Sequence, residues 1–136
     1  MINNRFNVVY HLLYFVINLF YPMNDRYKKI DEKSKIITDG LGCGIDEGIR
    51  ELIVLLNYNK IGTTQSCWGH KNWGEKFPWF DIDGKYYDNI KPIIFDLKIE
   101  TEKLGDTIRF YPKCKTLIKG RKEFNKLKDK LKQINN

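Results

Sequence analysis

Two short runs, IGTTQSCW and PWFDID, follow a stretch of helical apolar spacing, and this order limits the fold more than any other feature of the chain. In GIDEGIRELIVLLNYNK the residues Ile45, Ile49, Leu52, Ile53 and Leu56 share one helical face. Asp46 suits the N-cap and Glu47 the first turn. IGTTQSCW is rich in β-branched residues between Gly62 and Gly69, the signature of a strand entering a turn. PWFDID alternates, with Phe80 and Ile82 on one face and Trp79, Asp81 and Asp83 on the other, and Gly84 ends it.

The same order recurs. DNIKPIIFDLKIETEKLG carries Ile90, Ile94, Leu97 and Leu104 at helical spacing, with Asp88 as cap and Gly105 as stop, although Ile93, Phe95, Leu97 and Ile99 also alternate; a helix is expected. DTIRFYP and CKTLIKG then suit a hairpin with Pro112 and Lys113 in its turn. RKEFNKLKDKLKQI follows as a helix with Phe124, Leu127, Leu131 and Ile134 as its stripe. The pattern αββ-αββ-α predicts a single-domain α+β fold, an antiparallel sheet with helices packed on one face. The Gly-x-Gly turn of IITDGLGCGIDEG resembles the cofactor loop of Rossmann-type methyltransferases, but that fold needs a long parallel βαβ series, and hairpin-like strands follow instead.

With 42% hydrophobic and 30% charged residues in 136, the chain has globular proportions and room for one core. Its net charge of +7 is uneven: residues 1–100 carry 13 Lys/Arg against 13 Asp/Glu, residues 101–136 carry 11 against 4. A cationic C-terminal surface favours nucleic acid, phosphorylated ligands or an acidic partner. Three cysteines at wide spacing, Cys43, Cys67 and Cys114, make a poor disulfide framework, so a cytoplasmic setting is expected. The apolar run FNVVYHLLYFVINLFYP falls short of a membrane span, is interrupted by Asn7, His11 and Asn18, and lacks a small-residue cleavage site. Residues 1–22 are therefore expected to be an extension ahead of a start at Met23, a membrane anchor and a buried N-terminal helix being the alternatives, with one α+β domain over 23–136 and no membrane partner if the chain starts there.

The rare residues crowd into GTTQSCWGHKNWGEKFPWFDID. Cys67 and His70 could act as thiolate and base with Asp81 as orienting group, as two metal ligands, or as pocket lining. A zinc site would need two further ligands, for which Cys114 with Asp81 or Asp83 are the candidates; the expectation assigns no metal and no named cofactor. Thr64, Ser66, Trp68, Lys71, Trp73 and Trp79 are the candidate ligand-binding residues, the tryptophans suiting a planar base and Lys71 or Lys76 a phosphate. Lys122, Lys126 and Lys130 on the last helix are the candidate nucleic-acid surface.

With these residues identified, the chain resembles bacterial and phage proteins that share D-E-x-I, L-N, T-x-x-S-C-x-G-H and P-W-x-D-I. More distantly it is similar to the wybutosine-synthesis tRNA methyltransferase family, over about residues 43–83. That family has a helix ending in Asn and a Thr-rich strand closing on Ser-Cys-Ser-Gly-Arg. The resemblance implies a site for S-adenosylmethionine and a modified guanosine in tRNA. Ser66, Cys67 and Gly69 match its positions, whereas Trp68 and His70 replace its serine and arginine, changing the volume and charge of the site. It supports a shared fold more than a shared reaction.

The expected function is a pocket protein that binds or acts on a nucleotide-like or RNA-derived ligand through the SCWGH and PWFDID wall. The alternative is a phage-type interaction protein that inhibits a host nucleic-acid-handling complex without chemistry, in which case the partner is that host complex. A concave convergence of Cys67, His70, Trp79 and Asp81 favours the first, and an exposed Trp73 loop the second.

Overall fold

In the computed structural model, which describes residues 25–38 and 42–135, the first helix, α1 (residues 25–36), docks through polar groups. Asp31 pairs with Arg50, and the same guanidinium donates to Ser34 Oγ at 3.1 Å. Ser34 is buried and donates to the Asp31 carbonyl at 2.6 Å. Tyr27 meets the edge of Tyr58 at 5.6 Å between ring centroids. With only Tyr27 and Ile30 apolar on an inner face shared with Asp31 and Ser34, this segment announces itself in sequence chiefly as charge.

Helix α2 (Glu47–Tyr58) buries Ile49, Leu52, Ile53 and Leu56, the expected face. At its end Asn57 donates to the Ile53 carbonyl at 2.8 Å and to Thr63 Oγ1 at 2.9 Å, which ties the helix to β1 (Thr63–Cys67). β2 (Trp79–Asp83) pairs antiparallel with β1, a one-residue irregularity falling between Thr63 and Gln65. A 3₁₀ turn (Gly84–Tyr86) and α3 (Tyr87–Ile94) lead to β3 (Ile99–Leu104), β4 (Thr107–Pro112) and α4 (Leu117–Ile134). The sheet runs β1-β2-β4-β3 with every neighbour antiparallel.

Phe80, Ile82 and Phe110, fully buried, point from the sheet into a core shared with Ile49 and Leu56 of α2, Ile90 of α3, and Phe124, Leu127 and Leu131 of α4. Phe80 stacks on Phe110 at 5.1 Å, and Phe124 tilts onto it at 5.3 Å. The fold is thus α+β in the order αββ-αββ-α, preceded by α1.

Four local expectations are corrected. The stretch from Asp88 to Gly105 is not one helix: α3 ends at Ile94, a turn closes from Leu97 N–H to the Ile94 carbonyl at 2.9 Å, and the alternating half becomes β3. The hairpin partner of β4 is therefore β3, joined where Gly105 takes φ +63°, a conformation costly for any residue with a Cβ. CKTLIKG is no strand, since α4 already starts at Leu117, and Ile134 at the helix end is left exposed. Tyr86, with Asp88 in the first turn, is the N-cap of α3. Residues 1–22 and the expected start at Met23 lie outside the described residues. Among the described residues no helix is long and apolar enough to cross a membrane.

Candidate functional site

The end of β1 and the turn after it are built around Cys67. Its sulfur lies 3.2 Å from His70 Nε2 and accepts from Gly69 N–H at 3.3 Å. Asp46 occupies the N-cap position of α2 but makes no side-chain cap bond; it accepts instead from Trp68 N–H at 3.0 Å. One ligand atom each from Asp46, Cys67 and His70 lie within 4.8 Å of one another.

Several contacts hold this turn. Gly69 has φ +86°, and a Cβ there would come within 3.0 Å of the Lys76 carbonyl oxygen and of Leu117. Arg121 of α4 donates to the Trp68 and Gly69 carbonyls at 2.9 and 3.0 Å and lies over the Trp68 ring at 5.1 Å. The imidazole of His70 stacks on Trp73 at 3.6 Å and 19°, and His70 N–H closes the loop onto the Glu75 carbonyl at 2.8 Å.

Burial pushes the Cys67 thiol pKa up; Gly69 N–H works against this, while the charge of Asp46 and its hydrogen bond add to it. An activated cysteine needs the reverse, a cationic setting that favours thiolate. Nor does Asp81 orient His70. Both its carboxylate oxygens are engaged by Arg109, which donates at 2.7 and 2.9 Å across the β2–β4 pairing.

The second constellation lies on the sheet face opposite the core. Pairing Asp81 with Arg109 places Trp79 and Asp81 of β2 beside Arg109 and Tyr111 of β4. The Arg109 guanidinium covers the Trp79 ring at 3.7 Å. Phe77 approaches Tyr111 at 6.0 Å, and the Lys115 ammonium sits 5.9 and 5.0 Å from the two rings. Phe77, Trp79, Arg109, Tyr111 and Lys115 line a hollow of about 310 Å³, which Glu75 and Glu102 complete. Trp79 also borders a second hollow of about 360 Å³ along the edge strand, lined by Thr63, Thr64, Gln65 and Ser66 with Ile53 and the chain around Cys43 to Ile45.

The structure therefore divides the expected site. Cys67 and His70 come together; Thr64, Ser66 and Trp79 share a hollow; Asp81 serves Arg109. Trp68 packs on the core edge, Lys71 is exposed, and Trp73 is 69% exposed although stacked on His70. Cys114 is exposed and approaches Thr116, and Asp83 binds Lys85 N–H, so neither joins Cys67. On α4, Lys126 pairs with Glu123 at 3.2 Å and Lys130 with Asp96 and the Ile93 carbonyl. Lys122 is exposed and makes no ion pair among the described residues.

Asp46, Arg109, Tyr111, Lys115 and Arg121 escaped the sequence reading as site residues. Asp46 passed as a helix cap, and the others sit in segments with no unusual composition; the signal that could have found two of them is the alternation of TIRFYP, which puts Arg109 and Tyr111 on one face. Compared with family models, with curated proteins and with solved structures, the chain matches none.

Proposed function

We propose that the protein binds a nucleotide-like or RNA-derived ligand on the open sheet face, with its base at the aromatic hollow of Phe77, Trp79 and Tyr111. The observation that carries this reading is the ring of three aromatic side chains interleaved with Arg109 and Lys115 around a hollow of about 310 Å³. That volume is at the small end of ligand sites and suits one base-sized group. Aromatic faces stack on any base, and a nearby ammonium draws phosphate. Glu75 and Glu102 offer acceptors to the amino edge of a base. The hollow of Thr64 and Ser66 on the other side of Trp79 gives a neighbouring group somewhere to lie. Such a ligand belongs to the cytoplasm.

Equilibrium dialysis of the full chain against nucleoside monophosphates and a short single-stranded RNA tests it. Saturable binding that weakens by about tenfold in Trp79→Ala, the scale of a lost base stack, is expected. Binding of neither, or binding indifferent to both Trp79→Ala and Lys115→Ala, would exclude it.

Two observations favour the second reading, a protein-interaction surface: Cys67, His70 and Asp81 line neither of the two hollows that Trp79 borders, and Trp73, of a residue type among the commonest interface anchors, presents 69% of its surface to solvent. Its stacking on His70 already explains part of its placement, so it ranks behind the ligand site.

A further inference from the structure

Asp46, Cys67 and His70 reach one point from three separate places: the start of α2, the end of β1 and the turn beyond it. None of them lines the aromatic hollow of Phe77, Trp79 and Tyr111. We propose that these three side chains form a binding site for a zinc-class divalent cation, with a fourth position left to water or an incoming ligand atom.

The ligand set argues for that class of ion. A thiolate and an imidazole select borderline-soft cations over magnesium or calcium, which prefer oxygen alone. Three protein ligands with one open position are the arrangement of zinc sites that do chemistry, as distinct from closed structural ones. The distances agree. Zinc–sulfur and zinc–nitrogen bonds of about 2.3 and 2.0 Å in a tetrahedron put sulfur and nitrogen roughly 3.5 Å apart. Cys67 Sγ and His70 Nε2 stand at 3.2 Å, so a shift of a few tenths of an ångström opens the gap.

The surroundings hold the ligands in place. Asp46 is fixed by Trp68 N–H at 3.0 Å and makes no cap bond to its own helix. His70 is fixed by stacking on Trp73, and Gly69 N–H, at 3.3 Å from the sulfur, is placed to stabilise a thiolate. Arg121 bonds two carbonyls of the turn from α4, so the Cys67–His70 spacing is anchored to the core. Charge balances as well: carboxylate and thiolate offset a dication, with the thiol proton released to solvent as the metal binds. The T-x-x-S-C-x-G-H spacing brings two of the ligands, and D-E-x-I the third.

The test is cobalt(II) titration of the full chain, purified under reducing conditions and without chelators. One equivalent should bind, giving the visible bands of four-coordinate cobalt and a near-ultraviolet thiolate-to-cobalt band, both lost when zinc is added. Cys67→Ser should abolish the thiolate band, and Asp46→Asn, which still accepts from Trp68, should weaken binding by about tenfold or more. Cys114→Ser should change nothing. Circular dichroism of each variant separates loss of ligand from loss of fold. A wild-type chain that takes up no cobalt, or a thiolate band that persists in folded Cys67→Ser, would mean that the three groups form a hydrogen-bonded cluster only.

Discussion

Arg109 spans from β4 to Asp81 on β2 with two parallel hydrogen bonds, 2.7 and 2.9 Å, while its guanidinium lies 3.7 Å from Trp79. One side chain thereby fixes a buried carboxylate and an aromatic ring on the face proposed to take the ligand. The Asp81 side chain is 5% exposed and that of Arg109 25%. Removing the cation leaves a buried charge unpaired, at about 3–5 kcal/mol for a fully buried pair. Arg109→Ala should cost about 2–3 kcal/mol in urea unfolding, discounted for the exposed end of Arg109. Asp81→Asn/Arg109→Ala together should recover part of that loss.

Gly48 lies under Trp68. A Cβ there would come 2.2 Å from the indole Cδ1, far inside contact distance. Alanine in a helix is ordinarily better than glycine by about 1 kcal/mol. Here Gly48→Ala should reverse that sign and destabilise the fold by about 1–3 kcal/mol, because the indole must leave its place between α2 and Arg121. Thermal unfolding decides it; a stabilised variant would show that Trp68 moves freely.

Acid should loosen the helices before it unfolds the sheet. The Arg50 hydrogen bond holds the Asp31 carboxyl below its usual range, and the Lys132 hydrogen bond, with Lys128, does the same for Glu51. A lowered folded pKa gives stability that is present above the unfolded value, about 4, and lost as pH falls through the folded one. Both carboxylates are partly exposed, so each should contribute no more than about 1 kcal/mol. The protection of residues 25–36 against hydrogen exchange, taken relative to the intrinsic rate at each pH, should fall below about pH 4, and Asp31→Asn should lower that protection already at neutral pH.

If RNA binds, salt should weaken it, and the lysines of α4 should contribute unequally. Lys122→Gln should flatten the logarithmic salt dependence by about one unit, the share of one phosphate contact. Lys126 and Lys130 already face Glu123 and Asp96, so each should contribute less. Equal effects of all three in filter binding would mean that those ion pairs open on binding.

Periodicity made the layers legible. Ile49, Leu52, Ile53 and Leu56 in α2, Phe80 and Ile82 in β2, and Phe124, Leu127 and Leu131 in α4 are buried as their spacing demands. It failed where two periods overlap, in the stretch from Ile90 to Leu104, because only pairing with β4 decides where helix yields to strand. It failed also for α1, whose inner face mixes Tyr27 and Ile30 with Asp31 and Ser34 meeting Arg50. At the site, Cys67 and His70 were legible because they are close in the chain. The partners of Asp81 and Asp46 were not: Arg109 is 28 residues from Asp81, and Trp68 is 22 from Asp46, distances that only the sheet order and the docking of α2 on β1 close.

The central claim, a base stacked in the aromatic hollow, is tested most directly by the fluorescence of Trp79 alone. Trp68→Phe/Trp73→Phe leaves it as the sole tryptophan, with the hollow of Phe77, Arg109, Tyr111 and Lys115 unaltered in sequence. Titration of that protein with nucleoside monophosphates and then a short single-stranded RNA should give a saturable change in emission, reduced when Lys115 is replaced by Ala. Emission that stays constant up to millimolar nucleotide and with the RNA, in a protein shown by circular dichroism to be folded, would contradict the account.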